Sequence, residues 1–238
     1  MPSGFFFEFT SVKSGGFMKI ASYIDHTLLK QDAGEDDIRK LSLEAIDNSF
    51  ASVCVNPCRV PLVSELLSGS NVKVCSVTAF PLGATSTACK LFETEWCLKN
   101  GAEEIDTVIN IGECKLENWK YVRDELKLIA DLVHSYNSIL KVILETALLN
   151  KNEIVKACKI SMEAGVDFVK TSTGFAGGGA TKEDVKLMVD TVSGICKVKA
   201  SGGIRNYDDA VAMITIGAER IGTSCGVAII EGEETAGG

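Results

Sequence analysis

The chain has 238 residues, of which 46% are hydrophobic and 24% are charged, and its formal net charge is −8. A chain of this length can bury one substantial core, so a single domain is the first expectation. Its acidic balance disfavours nucleic acid and anionic membrane surfaces as partners, and no segment approaches the roughly 18 apolar residues that span a bilayer. We therefore expect a cytoplasmic protein that acts on a small molecule.

The two ends of the chain differ in composition from the rest. Residues 1–18 lack the basic segment and apolar core of a signal peptide, and Met18 offers an alternative start. Residues 232–238 are acidic and glycine-rich, with no apolar side chain large enough to pack. These features predict a disordered or non-native extension at 1–18, a folded domain at 19–231 and a flexible tail at 232–238.

The nine cysteines have no regular spacing, and a chain this long does not need disulfides to fold. Cys54 and Cys58 form the closest pair, but neither His26 nor His134 lies near them in the sequence. Zinc sites usually combine such a pair with further nearby ligands. The cysteines are therefore expected to be reduced thiols, and no metal site is predicted.

Short apolar or β-branched runs recur along the chain, each followed by a segment with helical periodicity. Eight such runs are predicted as strands: 20–25, 51–56, 72–80, 104–110, 140–146, 167–172, 196–201 and 220–224. Their average spacing of about 30 residues is that of a strand, a loop and a helix. Eight repeats favour a closed (β/α)8 TIM barrel, with an open doubly wound sheet as the alternative.

Two lysines stand out near the ends of the sixth and seventh predicted strands. Lys170 and Lys199 each lie in an apolar run that leads into a glycine-bearing turn. On adjacent parallel strands, about 4.8 Å apart, they would be neighbours. A free lysine has a pKa near 10.4, and burial beside a second ammonium would lower that pKa toward neutrality. This predicts Lys170 as an amine nucleophile and Lys199 as a charged neighbour; structural ion pairing is the alternative.

Proton transfer in Schiff-base chemistry also requires a carboxylate near the amine. Asp106 lies within the apolar run of the fourth predicted strand and would meet the lysines if it faces the barrel interior. Asp25 and Thr27 at the first strand, and Lys141 and Glu145 at the fifth, could join the same polar network.

Glycine-bearing turns follow each of the last three predicted strands, at 171–179, 201–205 and 222–224. Glycine allows backbone N–H groups to approach a phosphate closely, and barrels often bind phosphate after strands seven and eight. A phosphorylated substrate is therefore expected.

At these residues the chain resembles the deoxyribose-phosphate aldolase family. The similar motifs are DHTLL (25–29), GAEEIDTVIN (101–110), LKVILET (140–146), DFVKTSTGF (167–175), GGAT (178–181) and KASGGIR (199–205). The resemblance runs in family order over about 20–230. It implies a (β/α)8 class I aldolase that cleaves 2-deoxy-D-ribose 5-phosphate to D-glyceraldehyde 3-phosphate and acetaldehyde, without a metal or cofactor.

The resemblance also implies roles for individual residues. The Schiff-base lysine of the family falls on Lys170, its pKa-perturbing lysine on Lys199 and its proton-transfer aspartate on Asp106. The remaining candidates are substrate-binding or pocket residues: Asp25, Thr27, Cys54, Lys141, Thr171, Gly174, Gly202, Gly203, Gly222 and Ser224.

Three features depart from the pattern of some family members. The chain has no tyrosine beyond Tyr207, whereas some members end in a tyrosine that reaches the active site. Cys225 stands where some members have a second serine, and Phe175 stands where some have a lysine. These changes affect proton transfer and phosphate binding but leave the Schiff-base residues complete.

Three other interpretations fit the residues less fully. The first is a different sugar-phosphate aldolase, the second an isomerase with Asp106 as its base, and the third a sugar-phosphate sensor without catalysis. A homodimer is expected only because such barrels commonly dimerise.

Overall fold

A computed structural model describes residues 19–236 of the chain and shows a closed barrel of eight parallel strands in sequence order. The (β/α)8 prediction is confirmed. The strands are β1 (Ile24–Leu28), β2 (Ser52–Val55), β3 (Lys73–Thr78), β4 (Glu104–Val108), β5 (Ile139–Ile143), β6 (Phe168–Lys170), β7 (Lys197–Ser201) and β8 (Arg220–Thr223). The predicted extension at 1–18 lies outside the described residues.

Helices cover the outside of this barrel. They are α1 (Glu35–Asp47), α2 (Val60–Leu66), α3 (Thr87–Lys99), α4 (Ile111–Lys115), α5 (Trp119–Ser135), α6 (Lys151–Glu163), α7 (Lys182–Val192), α8 (Tyr207–Ile216) and α9 (Gly226–Ala236). Polar side chains mark where several of them begin: Ser86, Asn150 and Thr181 each accept a hydrogen bond from a backbone N–H in the first turn. None of the described helices is long and apolar enough to cross a membrane.

The strands are buried on both faces, which explains why they read as nearly continuous apolar runs in the sequence. All four residues of β2 and all five residues of β4 are buried. The outward side chains pack against the helices and form the main core, while the inward side chains fill the barrel. Polar residues inside the barrel therefore need partners there.

The first strand does not lie where the sequence predicted it. The prediction at 20–25 is wrong for its first four residues, because Ile20–Tyr23 form a 3-10 helix and β1 begins at Ile24. The Ser22 hydroxyl donates to the Lys19 carbonyl over 2.9 Å and helps close this turn. Ile20 is buried as part of this 3-10 helix rather than as part of the sheet, and an apolar pattern alone does not separate these two situations. The other seven predicted runs overlap the observed strands.

The last helix continues through most of the segment that the sequence predicted as a flexible tail. α9 runs to Ala236, so five residues of the predicted tail at 232–238 are helical. Gly232 allows close contact with α8, since a Cβ there would lie 2.8 Å from the Cβ of Tyr207. The Glu233 carboxylate accepts a hydrogen bond from the Ile20 N–H over 3.5 Å. Residues 237–238 lie outside the described part of the chain.

Candidate active site

Asp106 lies at the centre of the barrel and contacts three lysines. Its Oδ2 atom is 2.7 Å from Lys170 Nζ and 2.7 Å from Lys199 Nζ, and its Oδ1 atom is 2.8 Å from Lys141 Nζ. The sheet register explains this convergence, because Lys170 pairs with Lys199 across β6 and β7, while Asp106 pairs with Lys141 across β4 and β5. Asp106 therefore lies in the barrel interior and contacts both lysines, the arrangement under which the sequence analysis gave it a role in proton transfer.

A second carboxylate extends this network toward β1. Asp25 Oδ2 contacts Lys199 Nζ, and its Oδ1 atom accepts hydrogen bonds from Arg220 over 2.6 Å and from the Ser52 hydroxyl over 2.6 Å. Glu104 lies 2.6 Å from Lys141 and 3.2 Å from Arg220. Every charged group in the network therefore has at least one partner of opposite sign.

We call these residues the ion cluster. It consists of four cations and three carboxylates: Lys141, Lys170, Lys199, Arg220, Asp25, Glu104 and Asp106. If all seven groups are ionised, the ion cluster carries one positive charge in excess. The loss of a single proton from one lysine would therefore neutralise it.

Electrostatics keep most members of the ion cluster charged. Burial alone would raise the pKa of Asp106, but attraction to Lys141, Lys170 and Lys199 holds that pKa well below its ordinary value. Burial alone would lower the pKa of Lys199, but attraction to Asp106 and Asp25 raises it above its ordinary value. The pKa of Lys141 is raised in the same way, chiefly by Asp106. These directions agree with the prediction that Lys199 remains charged.

Lys170 is the lysine of the ion cluster that borders a cavity. Lys141 and Lys199 are completely buried, whereas the Lys170 side chain keeps 4% of its surface exposed. The cavity, of about 330 Å³, lies among the loops that follow β1, β6, β7 and β8. Seven predicted site residues line it: Thr27, Lys170, Gly174, Gly202, Gly203, Gly222 and Ser224.

The glycines around this cavity are required for different reasons. Gly174, Gly202 and Gly203 all have positive φ angles, which side chains with a Cβ rarely adopt. At Gly222 the reason is space, since a Cβ there would lie 2.8 Å from the Ser201 Cβ and 3.1 Å from Lys199 Cε. Gly222 therefore leaves room for the lysine as well as lining the cavity.

Two predicted pocket residues, Cys54 and Thr171, lie neither in the cavity lining nor in the ion cluster, and Glu145, a candidate for the polar network, also lies elsewhere. Cys54 is buried in β2, next to Cys75 of β3 in the sheet register. Thr171 is buried and ties β6 to β7, because its hydroxyl donates to the Ser201 carbonyl over 2.9 Å and accepts from the Ser201 N–H over 3.0 Å. Glu145 does not join the ion cluster; its carboxylate instead accepts hydrogen bonds from Thr173.

Cys54, Cys75 and Asp106 bring three potential metal-ligand atoms within 4.8 Å of one another. Their surroundings do not favour a cation, however. Asp106 already contacts three lysines, and Lys141 Nζ also lies 3.3 Å from Cys75 Sγ. Burial raises the pKa of the Cys75 thiol well above its ordinary value, whereas a metal ligand must be a thiolate. The group fits a structural role better than a metal centre.

Sequence reasoning missed two pairs of residues in the site. Lys30 and Arg205 line the cavity together with its glycine turns. Arg205 directly follows the SGGI segment, which was a usable signal. Glu104 and Arg220 complete the ion cluster, but they lie at strand starts, and only the closed barrel brings them together.

The fold and the site together define a class of protein. A closed (β/α)8 barrel carries a cavity at the carboxyl ends of its strands, and a buried lysine at the cavity floor contacts a carboxylate. Barrel enzymes place their catalytic groups at this end. An amine and a carboxylate at such a position are the groups that an aldolase of the lysine type requires.

Comparisons with known proteins agree with that class. The sequence profile described as DeoC/LacD family aldolase matches residues 19–232. A deoxyribose-phosphate aldolase from Carboxydothermus hydrogenoformans is 53% identical over 90% of this chain and 95% of its own length. A deoxyribose-phosphate aldolase from Clostridium botulinum is 55% identical over 90% of this chain and 100% of its own length.

Solved structures show the same relationship. An aldolase designated QR15 has a TM-score of 0.88 and 42% identity, covering 93% of this chain and 98% of its own. A tetrameric deoxyribose phosphate aldolase from Aeropyrum pernix has a TM-score of 0.86 and 37% identity, covering 91% and 92% of the two chains. The chain therefore belongs to the DeoC/LacD family of aldolases, which are lyases. The prediction of a deoxyribose-phosphate aldolase is confirmed by these relatives.

Proposed function

We propose that this aldolase reversibly cleaves 2-deoxy-D-ribose 5-phosphate to D-glyceraldehyde 3-phosphate and acetaldehyde through a Schiff base on Lys170. The observation that carries the proposal is the position of Lys170. Its amine contacts the Asp106 carboxylate over 2.7 Å, and among the described residues Lys170 is the member of the ion cluster that lines the cavity.

The charge balance of the ion cluster supports Lys170 as the group that gives up a proton. Arginine stays protonated in proteins, so Arg220 keeps its charge. Lys141 and Lys199 each contact at least two carboxylates. Lys170 contacts Asp106 alone. Loss of the Lys170 proton would remove the excess positive charge of the ion cluster. It would also break fewer ion pairs than loss of a proton from Lys141 or Lys199. The resulting neutral amine is the form that attacks a carbonyl carbon.

The reaction then needs proton transfers that groups beside Lys170 can make. The amine adds to the C1 aldehyde of the open-chain sugar, and the carbinolamine loses water to form the imine. Removal of the proton from the C3 hydroxyl breaks the C2–C3 bond, which releases glyceraldehyde 3-phosphate and leaves an enamine. Protonation of the enamine carbon and hydrolysis of the imine release acetaldehyde. Asp106 is the carboxylate placed to exchange these protons.

The other end of the cavity suits the phosphate group. Gly174, Gly202 and Gly203 allow their backbone to approach an anion closely, and Lys30 and Arg205 line the same cavity. These two cations compensate for Cys225 and Phe175, which stand where some family members have a serine and a lysine. We therefore expect phosphate binding to depend on Arg205 more than on any hydroxyl group.

Three further expectations accompany this proposal. All nine cysteines are unpaired thiols, which suits a cytoplasmic enzyme. The substrate assigns the enzyme to carbohydrate and deoxyribonucleotide catabolism, and the groups of the chain itself suffice for the imine chemistry without a cofactor. A homodimer is proposed only because such barrels commonly dimerise, and light scattering on the purified protein would test it.

Borohydride trapping tests the central step. The protein is incubated with acetaldehyde or 2-deoxyribose 5-phosphate, reduced, digested and mapped by mass spectrometry. We expect a stable adduct on Lys170 and loss of activity in proportion to the adduct. An adduct on another lysine would contradict the assignment of the Schiff base to Lys170. Undiminished activity in a Lys170→Met variant would contradict the proposal and favour an isomerase with Asp106 as its base.

A further inference from the structure

Glu145 occupies an unusual position next to the strand that carries Lys170. It lies two residues beyond the end of β5, it is 1% exposed, and its φ angle of +57° lies in the left-handed region. A residue with a Cβ rarely adopts this conformation, and such strain persists only where the surroundings require it.

The backbone turn at Glu145 attaches this segment to β6 and to the loop after it. On one side of the turn, the Leu144 N–H donates to the Lys170 carbonyl over 2.9 Å. On the other side, the Thr146 N–H donates to the Thr171 carbonyl over 3.0 Å. The left-handed conformation at Glu145 therefore lets both flanking residues bond to the end of β6.

The Glu145 carboxylate extends the same attachment into the loop at 171–175. It accepts a hydrogen bond from the Thr173 N–H over 3.2 Å and another from the Thr173 hydroxyl. The Thr173 hydroxyl in turn accepts a hydrogen bond from the Phe175 N–H over 3.0 Å. Gly174 lies between these two anchored residues, at a φ angle of +84°, and lines the cavity.

We propose that Glu145 is a positioning residue that holds the loop at 171–175 in the shape required to bind the phosphate group of the substrate. This inference rests on the proposed function, because it assigns the phosphate to the cavity beside Gly174. Glu145 itself is buried and acts through Thr173. Its loss should weaken phosphate recognition while leaving the imine chemistry at Lys170 intact.

The test compares a phosphorylated with a non-phosphorylated substrate. In a Glu145→Gln variant we expect KM for 2-deoxyribose 5-phosphate to rise about tenfold, since charge-assisted hydrogen bonds to the loop are lost. The kcat/KM for 2-deoxyribose should stay within about twofold of the starting protein, because that substrate has no phosphate. Backbone amides at 171–176 should exchange hydrogen faster in the variant.

Two further variants make the result specific. Thr173→Val removes the hydroxyl that bonds to both Glu145 and Phe175, and we expect the same selective rise in KM if Glu145→Gln does not fold. Glu117→Gln is a matched control, because Glu117 also has a positive φ angle, of +56°, but its side chain is exposed and does not line the cavity. We expect this control to leave both substrates unaffected.

Equal losses with both substrates in Glu145→Gln would overturn the inference, as would an unchanged preference for the phosphorylated substrate. If the unsubstituted protein itself does not prefer the phosphorylated substrate, the proposed phosphate site fails and the inference fails with it. If the unsubstituted protein prefers the phosphorylated substrate and Glu145→Gln keeps that preference, only the role of Glu145 is rejected. The two failures are therefore distinguishable.

Discussion

Two regions of the molecule bury a lysine completely, and they differ in what the burial achieves. Lys90 of α3 lies outside the barrel, 2.7 Å from the Glu125 carboxylate of α5 and 2.8 Å from the Val108 carbonyl. Lys199 lies inside the barrel, between Asp106 and Asp25. Both side chains are inaccessible to solvent. Burial of a lysine is therefore not in itself a sign of catalysis.

The electrostatics of these two regions separate their roles. Burial lowers the pKa of Lys90, and a single carboxylate, Glu125, opposes that change only in part. Two carboxylates more than reverse the effect of burial on Lys199, so its pKa is raised. The Lys90–Glu125 pair has one cation and one carboxylate, whereas the ion cluster has one cation more than it has carboxylates. An unbalanced cluster that borders a cavity is suited to proton loss, and a balanced pair is suited to holding two helices together.

The largest expected effect separates the two regions by activity. Lys170→Met should lower kcat/KM by at least about 10⁴-fold, because the nucleophile is lost and Lys30, which also lines the cavity, is not part of the ion cluster. The melting temperature should change little, since the ion cluster becomes neutral without that ammonium. Steady-state kinetics and calorimetry on the same preparation check both statements. Residual activity above about 1% would place the nucleophile elsewhere.

Lys90→Met should have the opposite effects, a loss of stability with little change in activity. Removal of one partner from a buried pair leaves Glu125 charged without a cation and costs about 3–5 kcal/mol of unfolding free energy. The kcat of the folded fraction should stay within about threefold, because Lys90 contacts no group of the ion cluster. Urea unfolding measures the loss of stability.

A double variant sharpens this second prediction. In Lys90→Met with Glu125→Leu both charges are replaced, and part of the lost stability should return. If the double variant is less stable than Lys90→Met, the pair contributes through its other hydrogen bonds, which Glu125 makes with Thr87 and Tyr121.

Lys199→Leu should have an intermediate effect on activity and change its pH dependence. Three cations then face three carboxylates, so the charge on Lys170 is needed to balance the ion cluster. We expect kcat/KM to fall by about 10²-fold and the pH optimum to move upward. The pH–rate profile of the variant is the measurement. A uniform loss at every pH, with the optimum unmoved, would mean that Lys199 affects packing only.

His26 provides the smallest expected effect, on the acid side of the stability curve. It is buried against Phe50, and its Nε2 atom lies 2.8 Å from Glu44. Burial lowers its pKa more than Glu44 raises it. Below pH about 6.5 the unfolded chain gains a proton that the folded chain resists, so stability falls by at most about 1.4 kcal/mol per pH unit. Urea unfolding at pH 7.5 and 5.5 should show a smaller difference for His26→Gln.

Several parts of the site were accessible from the sequence. Lys170, Lys199 and Asp106 were identifiable because a charged residue inside an apolar run is costly unless it has a function or a partner. The strand order then placed them together, since consecutive parallel strands are neighbours. Gly174, Gly202 and Gly203 were identifiable because glycine clusters mark turns where backbone approaches a ligand.

Other parts depended on distances that no local pattern records. Lys141 was predicted to lie in a polar network, but that network also contains Glu104 and Arg220, which are 116 residues apart in the sequence. Glu145 was expected in the same network and instead anchors the loop after β6. Ile20 was predicted in a strand because an apolar pattern reports burial and not the element that is buried.

The order of strands and helices, the family and the identity of the lysines and the aspartate were determined by the sequence alone, because periodicity and residue type are local properties. Barrel closure decided which charges meet, how many carboxylates each lysine contacts and which amine borders the cavity. Electrostatic energy depends on separation and burial in three dimensions, so only the folded chain shows the physical difference between Lys170 and Lys199, and between both of these and Lys90.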